Sequence, residues 1–306
     1  MKLFLALNTK NKKNFPSVKT VKTLKIRGVY LFLFLIIFFS GKSFAMTSAN
    51  NVNQKIGFYV THPWIYLISS FIGGVEVEVT PLQIWNSNGD LTRADNGKLL
   101  RDLDSNAKII ALDKDEAANL KLTNFENLRF LYSKFPVDIN NISDPSITPF
   151  VAQRVLVILS EWDASNYLYY QRRLAEFQAR LSSSILAGQI LRGISVCAMS
   201  STSGILLQAA GCKVESPEPE NLELWQKGKF NGLREYLDEK KSRDVIIVAD
   251  DDIPRALKKY LLSRSDVFHW ERPQLEKTDY PSFLHEQYIS LWQRILKKPL
   301  SNNKKR

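Results

Sequence analysis

The stretch that decides the fold is Lys55-Ile-Gly-Phe-Tyr-Val60, continued by Thr61-His-Pro-Trp-Ile-Tyr-Leu-Ile-Ser-Ser-Phe-Ile-Gly-Gly74 and Val75-Glu-Val-Glu-Val-Thr-Pro-Leu82. The first piece reads as a buried strand, and Pro63 suits the first turn of a helix. Trp64, Leu67, Ile68, Phe71 and Ile72 recur at helical spacing until Gly73-Gly74 stops them. Val75, Val77 and Val79 alternate with Glu76, Glu78 and Thr80, the pattern of a half-exposed strand. A strand, a helix and a strand follow one another with little between them, which predicts parallel pairing.

Beyond Leu82, Asn86-Ser-Asn-Gly-Asp90 is a polar loop, Gly97 to Leu103 a short helix and Lys108 to Leu112 a further strand. The same logic returns later in the chain. Ile194 to Met199 and Lys213-Val214 read as strands about a helix from Thr202 to Ala210 that Gly211 closes. Leu233 to Lys240 is a helix, Val245 to Val248 a strand, Ile253 to Leu262 a helix, and Val267-Phe268 a last strand. Between the halves, Val151, Val155, Ile158 and Trp162, then Tyr170, Leu174, Phe177, Leu181 and Ile185, mark one long helix or two in succession. The expectation is α/β: two lobes, each with a mostly parallel β-sheet flanked by helices, joined by a long connecting helix. The lobes are expected over 46–147 and 186–296, with the connector at 148–185.

The 306 residues carry a formal charge of +11, and its distribution matters more than its size. Nine Lys and Arg and no acidic residue lie in residues 1–45, which leaves 33 basic against 31 acidic. Five more form the basic tail 297–306, so residues 46–296 are slightly acidic. Basic residues at the two ends do not make a nucleic-acid footprint on the folded body, and no nucleic-acid partner is expected. The basic start runs into Val29-Tyr-Leu-Phe-Leu-Phe-Leu-Ile-Ile-Phe-Phe39 and then Ser43-Phe-Ala45, the order of a secretory signal with cleavage after Ala45. Eleven apolar residues are short for a bilayer span, so a cleaved signal and a periplasmic monomer are expected, with an N-terminal membrane anchor as the alternative. The long basic segment also suggests initiation nearer Val21 or Leu24.

Several residues invite chemistry. His62 ends the first strand and either faces a crevice at the strand ends or caps the helix that follows. Asp250-Asp251-Asp252 ends another strand, and would hold a hard or organic cation or cap the next helix. Ser200 to Gly204 occupies a strand-to-helix turn but lacks the G-x-S-x-G form of a nucleophile elbow, so no enzyme is expected; such a helix start could hold an anionic group. Cys197 and Met199 share a strand face, as core residues or as soft donors to Cu(I). In an oxidising compartment Cys197 and Cys212 are a candidate disulfide, with two buried thiols as the alternative. His269 reads as a strand-edge residue and His285 as a surface-helix residue.

This order of elements resembles the zinc and manganese solute-binding proteins of bacterial ABC importers, the TroA-like group. The stretch from Thr61 to Leu82 is similar to their opening strand, first helix and valine-rich second strand. Ser160-Glu-Trp-Asp163 through Leu181 is similar to their connector, and Glu218-Pro219-Glu-Asn-Leu222 to the start of a helix in their second lobe. The resemblance implies capture of zinc or manganese between the lobes for an ABC permease in the inner membrane; the alternative is a homologue that binds no metal and acts through protein contacts or takes a non-metal solute. The resemblance also implies three histidines and an acidic residue around the metal. At the matching positions the first histidine would lie in the loop ending at Asp90, the second after Asp144-Pro145, where Ser146 stands, and the third at Ser200. The acidic position is met by Asp250 or Asp251, with Glu271 as a further candidate. Hydroxyls replace imidazoles, so the expectation is a degenerate metal site.

Overall fold

The computed structural model describes residues 55–86, 88–132 and 142–297. The expected signal segment at 1–45 and the tail beyond Lys297 lie outside the described residues. Strand β1 (Ile56–Val60) leads into α1 (Pro63–Gly73), and a 3-10 turn at Gly74–Glu76 returns the chain into β2 (Val77–Pro81). Val75, expected to start the strand, sits in that turn and is exposed. Gly74 has φ 54, and a side chain there would collide with the Tyr169 hydroxyl.

The expected polar loop is the tip of a hairpin: β3 (Gln83–Trp85) pairs antiparallel with β4 (Leu91–Arg93). Then come α2 (Lys98–Arg101), β5 (Ile109–Ala111), α3 (Lys114–Asn119) and β6 (Leu128–Phe130). The first sheet runs β2-β1-β5-β6, all parallel. Every residue of β5 is buried, as a strand covered on both faces requires.

The connector is two helices, α4 (Thr148–Trp162) and α5 (Tyr167–Gly188). The break between them is anchored by Asp163. Its carboxylate accepts hydrogen bonds from the Tyr170 hydroxyl at 2.7 Å and the Asn166 amide at 2.8 Å. Val151, Val155 and Ile158 of α4, with Tyr170, Leu174, Phe177 and Leu181 of α5, are buried in one apolar core with α1 residues and with Val196 and Leu206 of the second half. The lobes are welded across this core.

The second lobe comprises β7 (Ser195–Ala198), α6 (Ser201–Ala209), β8 (Lys213–Glu215), α7 (Pro219–Gln226), α8 (Leu233–Ser242), β9 (Ile246–Asp250), α9 (Arg255–Leu262) and β10 (Val267–Trp270). Its sheet runs β10-β9-β7-β8, again all parallel. In chain order this repeats the first sheet, hairpin aside: first strand beside second and third, fourth beside third. A final helix, α10 (Tyr280–Leu296), packs along α5, where a Cβ on Gly188 would fall 2.6 Å from Tyr288.

Register disposes of the candidate disulfide. Ser195 pairs with Lys213, so Cys212 lies opposite residue 194, three positions from Cys197. That is about 10 Å along the strands, on the opposite face, beyond the roughly 7 Å a bridge can span. Both thiols are free and buried; Cys197 lies 3.3 Å from the Tyr236 hydroxyl, and Cys212 donates to the Leu191 carbonyl at 3.6 Å.

Candidate functional site

In an open parallel sheet the ligand crevice lies at the carboxyl ends of the strands, where the strand order reverses. That point is β1/β5 in the first sheet and β7/β9 in the second. Each is filled by the pairing of a hydroxyl with a buried carboxyl.

In the first lobe Thr61, directly after β1, donates its hydroxyl to Glu116 Oε2, which also accepts the Leu112 N–H at 2.8 Å. Thr61 is fully buried and Glu116 is 7 % exposed, with Oε1 lacking a hydrogen-bond partner. Burial raises the Glu116 carboxyl above its ordinary range, although the bonds from Thr61 and Leu112 act the other way. In the second lobe Ser200, directly after β7, donates to Asp250 Oδ2 at the end of β9. That oxygen also accepts the Ser203 N–H at 3.0 Å, and Oδ1 accepts the Asp252 N–H at 2.9 Å. Burial, and then the Asp252 charge, raise Asp250 against those bonds. The two lobes thus carry the same plug, and neither Ser200 nor Asp250 is a free ligand.

The remaining candidates separate. His62 is the N-cap of α1: its Nδ1 accepts the Trp64 N–H at 3.2 Å. Burial, aided by the nearby Arg272 charge, lowers its pKa to about 3, so the imidazole is neutral. Asp90 is exposed and closes the hairpin tip by accepting from Asn86 Nδ2 at 3.3 Å. Ser146 is exposed in an Asx turn, its N–H donating to Asp144 Oδ1 at 2.7 Å. Glu271 is exposed.

Asp251 is the exception, because it lies where the lobes meet. Its Oδ1 receives the Lys258 ammonium and lies 3.0 Å from His269 Nε2, and its Oδ2 accepts the Arg272 N–H at 3.3 Å. Burial opposes the charge, but the His269 and Lys258 bonds outweigh it and hold the carboxyl far below the ordinary range. The same Lys258 ammonium donates to the Asn88 carbonyl of the hairpin at 3.1 Å. Arg272 pairs with Asp252 and lies over the Trp85 ring at 5.0 Å from its centroid. Trp85 in turn packs edge-on against Trp64 and His62. The residual crevice, bounded by Trp85, Gly89, Asp251, Arg272 and Leu275, has a volume of about 250 Å³, below the usual range of roughly 300–1,000 Å³ for small-molecule sites.

Zinc and manganese sites need several imidazole or carboxylate donors converging with free lone pairs. Among the described residues no three His, Cys, Asp or Glu side chains come together in a group that could hold a metal ion. Among the described residues the candidates do not assemble such a donor set. Lys258 and Arg272 were missed by sequence reading: a lysine on the polar face of a helix and an arginine after a strand carry no signal of what they reach.

No family model and no curated protein matches this chain. Solved structures do. ZnuA aligns with a TM-score of 0.59 at 16 % identity, over 78 % of this chain and 99 % of its own. The solute-binding protein FpvC from Pseudomonas aeruginosa, in complex with Mn2+, aligns at 0.52 with 17 % identity, over 79 % and 97 %. The laminin-binding protein Lmb of Streptococcus agalactiae, described as having adhesin and metal transporting activity, aligns at 0.55 with 14 % identity, over 78 % and 99 %. At such identities the likeness is one of fold. The chain has the TroA-like solute-binding fold, as its element order led us to expect.

Proposed function

We propose that this chain is an exported protein of the solute-binding type in which the cargo site has become an internal brace, and that it acts through protein contacts, with an ABC permease as the expected partner. The observation that carries this is Lys258. Its ammonium supplies, from within the chain, the positive charge on Asp251 that a bound cation would otherwise supply, while also fastening Asn88 of the opposite lobe. A metal ion arriving there meets a compensated carboxylate, a His62 whose Nδ1 lone pair already accepts the Trp64 N–H, and a Ser200 hydroxyl already bonded to Asp250. The secretory-type order of residues 1–45 and the fold shared with the solute-binding protein FpvC support a periplasmic role. Lobes at 46–147 and 186–296 about a connector at 148–185 remain our proposed division, after removal of residues 1–45 as a signal.

The test is titration of the purified protein with Zn2+ and with Mn2+ by calorimetry, alongside elemental analysis after desalting. The expected result is no stoichiometric ion and an unchanged Tm. A ligand that prefers the native state stabilises it by about 2.7 kcal/mol at a hundredfold excess over its Kd. One equivalent of either ion bound, with a raised Tm at excess ion, overturns the proposal.

A further inference from the structure

A cavity of about 430 Å³ lies at the opposite end of the second sheet from the brace, where β9 and β10 begin. Val245, Ile246, Ile247, Phe268 and Ile295 line it with apolar surface. Lys241, Arg294 and Lys297 also border it, and all three are exposed. The one carboxylate among the lining residues, Asp266, is already bound by Arg264 at 2.8 Å and by Lys241 at 3.5 Å. Arg294 rests on the Ser265 carbonyl, a neutral partner. Among the described residues neither Arg294 nor Lys297 forms an ion pair, so an apolar wall meets a positively charged rim. In sequence the basic tail continues from this rim, with Lys298, Lys304, Lys305 and Arg306 following Lys297.

Apolar surface with a few placed polar groups is the composition of a small-molecule site, and the volume falls in the usual range. The charge sets the sign of the ligand's head and the wall sets the nature of its body. We infer that this cavity binds an amphipathic anion, one acyl or alkyl chain lying against Ile246, Phe268 and Ile295 and the anionic head against Arg294 and Lys297. A free fatty carboxylate and an anionic membrane lipid share that chemistry. The site is remote from the brace and does not depend on the metal reading.

Calorimetry on the purified protein with decanoate tests the carboxylate source, and sedimentation with phosphatidylglycerol liposomes against phosphatidylcholine liposomes tests the lipid source. Saturable binding is expected in at least one arm, about tenfold weaker in Arg294→Gln and in Lys297→Glu, the size expected for a lost charge-assisted bond. Decanol and propionate, each lacking half of the chemistry, should bind no better than decanoate does to the variants. Both variants alter exposed rim residues, and an unchanged Tm without ligand shows that they fold. Binding in neither arm, or equal binding by the two variants and the parent, overturns the inference.

Discussion

Gly89 packs directly on Asp251: a Cβ built on the glycine falls 2.6 Å from the aspartate Cβ and 2.7 Å from its carbonyl oxygen. This contact brings the hairpin tip of the first lobe onto the strand end of the second, where the crevice would open. Gly89 also has φ 86, a conformation other residues adopt only with strain. Gly89→Ala should cost about 1–3 kcal/mol from strain and collision together, read as a lower midpoint in urea unfolding. An unchanged midpoint would mean that the lobes do not close here.

The two plugs respond differently to amide substitution. Both oxygens of Asp250 face N–H donors, so an amide there must turn its NH2 toward one of them. Asp250→Asn should therefore cost about 2–3 kcal/mol. Glu116 uses only Oε2, so Glu116→Gln keeps the acceptor, places its NH2 where no donor stands, and removes a buried ionisable group. It should stay within about 1 kcal/mol of the parent. Equal losses in the two variants would contradict this asymmetry.

Stability should fall on acidification, and His62 is the main cause above pH 4. Its folded pKa of about 3 lies below the unfolded value of 6.5. The unfolded chain therefore takes the proton first, and stability declines as pH falls from about 6.5 toward 3. The full effect is on the order of 3–5 kcal/mol. Asp251, also depressed, adds to the loss below about pH 4. Glu116 and Asp250, which are raised, act oppositely: their contribution is present below about pH 4 and disappears as pH rises through their folded values. His62→Asn keeps an N-cap acceptor without titrating, so its unfolding free energy measured from pH 7 to 4 should be flatter than the parent's. Parallel curves would rule the histidine out as the source.

The thiols should be inert in the native protein. Burial raises Cys197 and takes Cys212 to about 11, so neither offers thiolate at neutral pH. Ellman's reagent should read no fast thiol in buffer and two after denaturation without reductant. A count of zero after denaturation would mean that the cysteines are bridged.

Much of this architecture was legible in the chain itself. The run from Ile56 to Val79 yields strand, helix and strand because apolar residues change from period two to period three or four, and Gly73-Gly74 permits only one place to turn. The β3–β4 hairpin was not legible as strands: three-residue strands on each side of Asn86–Asp90 are too short to show a period. Nor was β6, at Leu128–Phe130, for the same reason.

The parallel α/β class and the helical connector were set by the sequence alone, because hydrophobic periodicity is a local property. Tertiary structure decided what became of the crevice. That Lys258 meets Asp251, that Gly89 lets the hairpin settle against it, and that Ser200 and Thr61 each close on a buried carboxyl are contacts between residues remote in sequence. Side-chain reach and sheet register set them, and neither is written in any single segment.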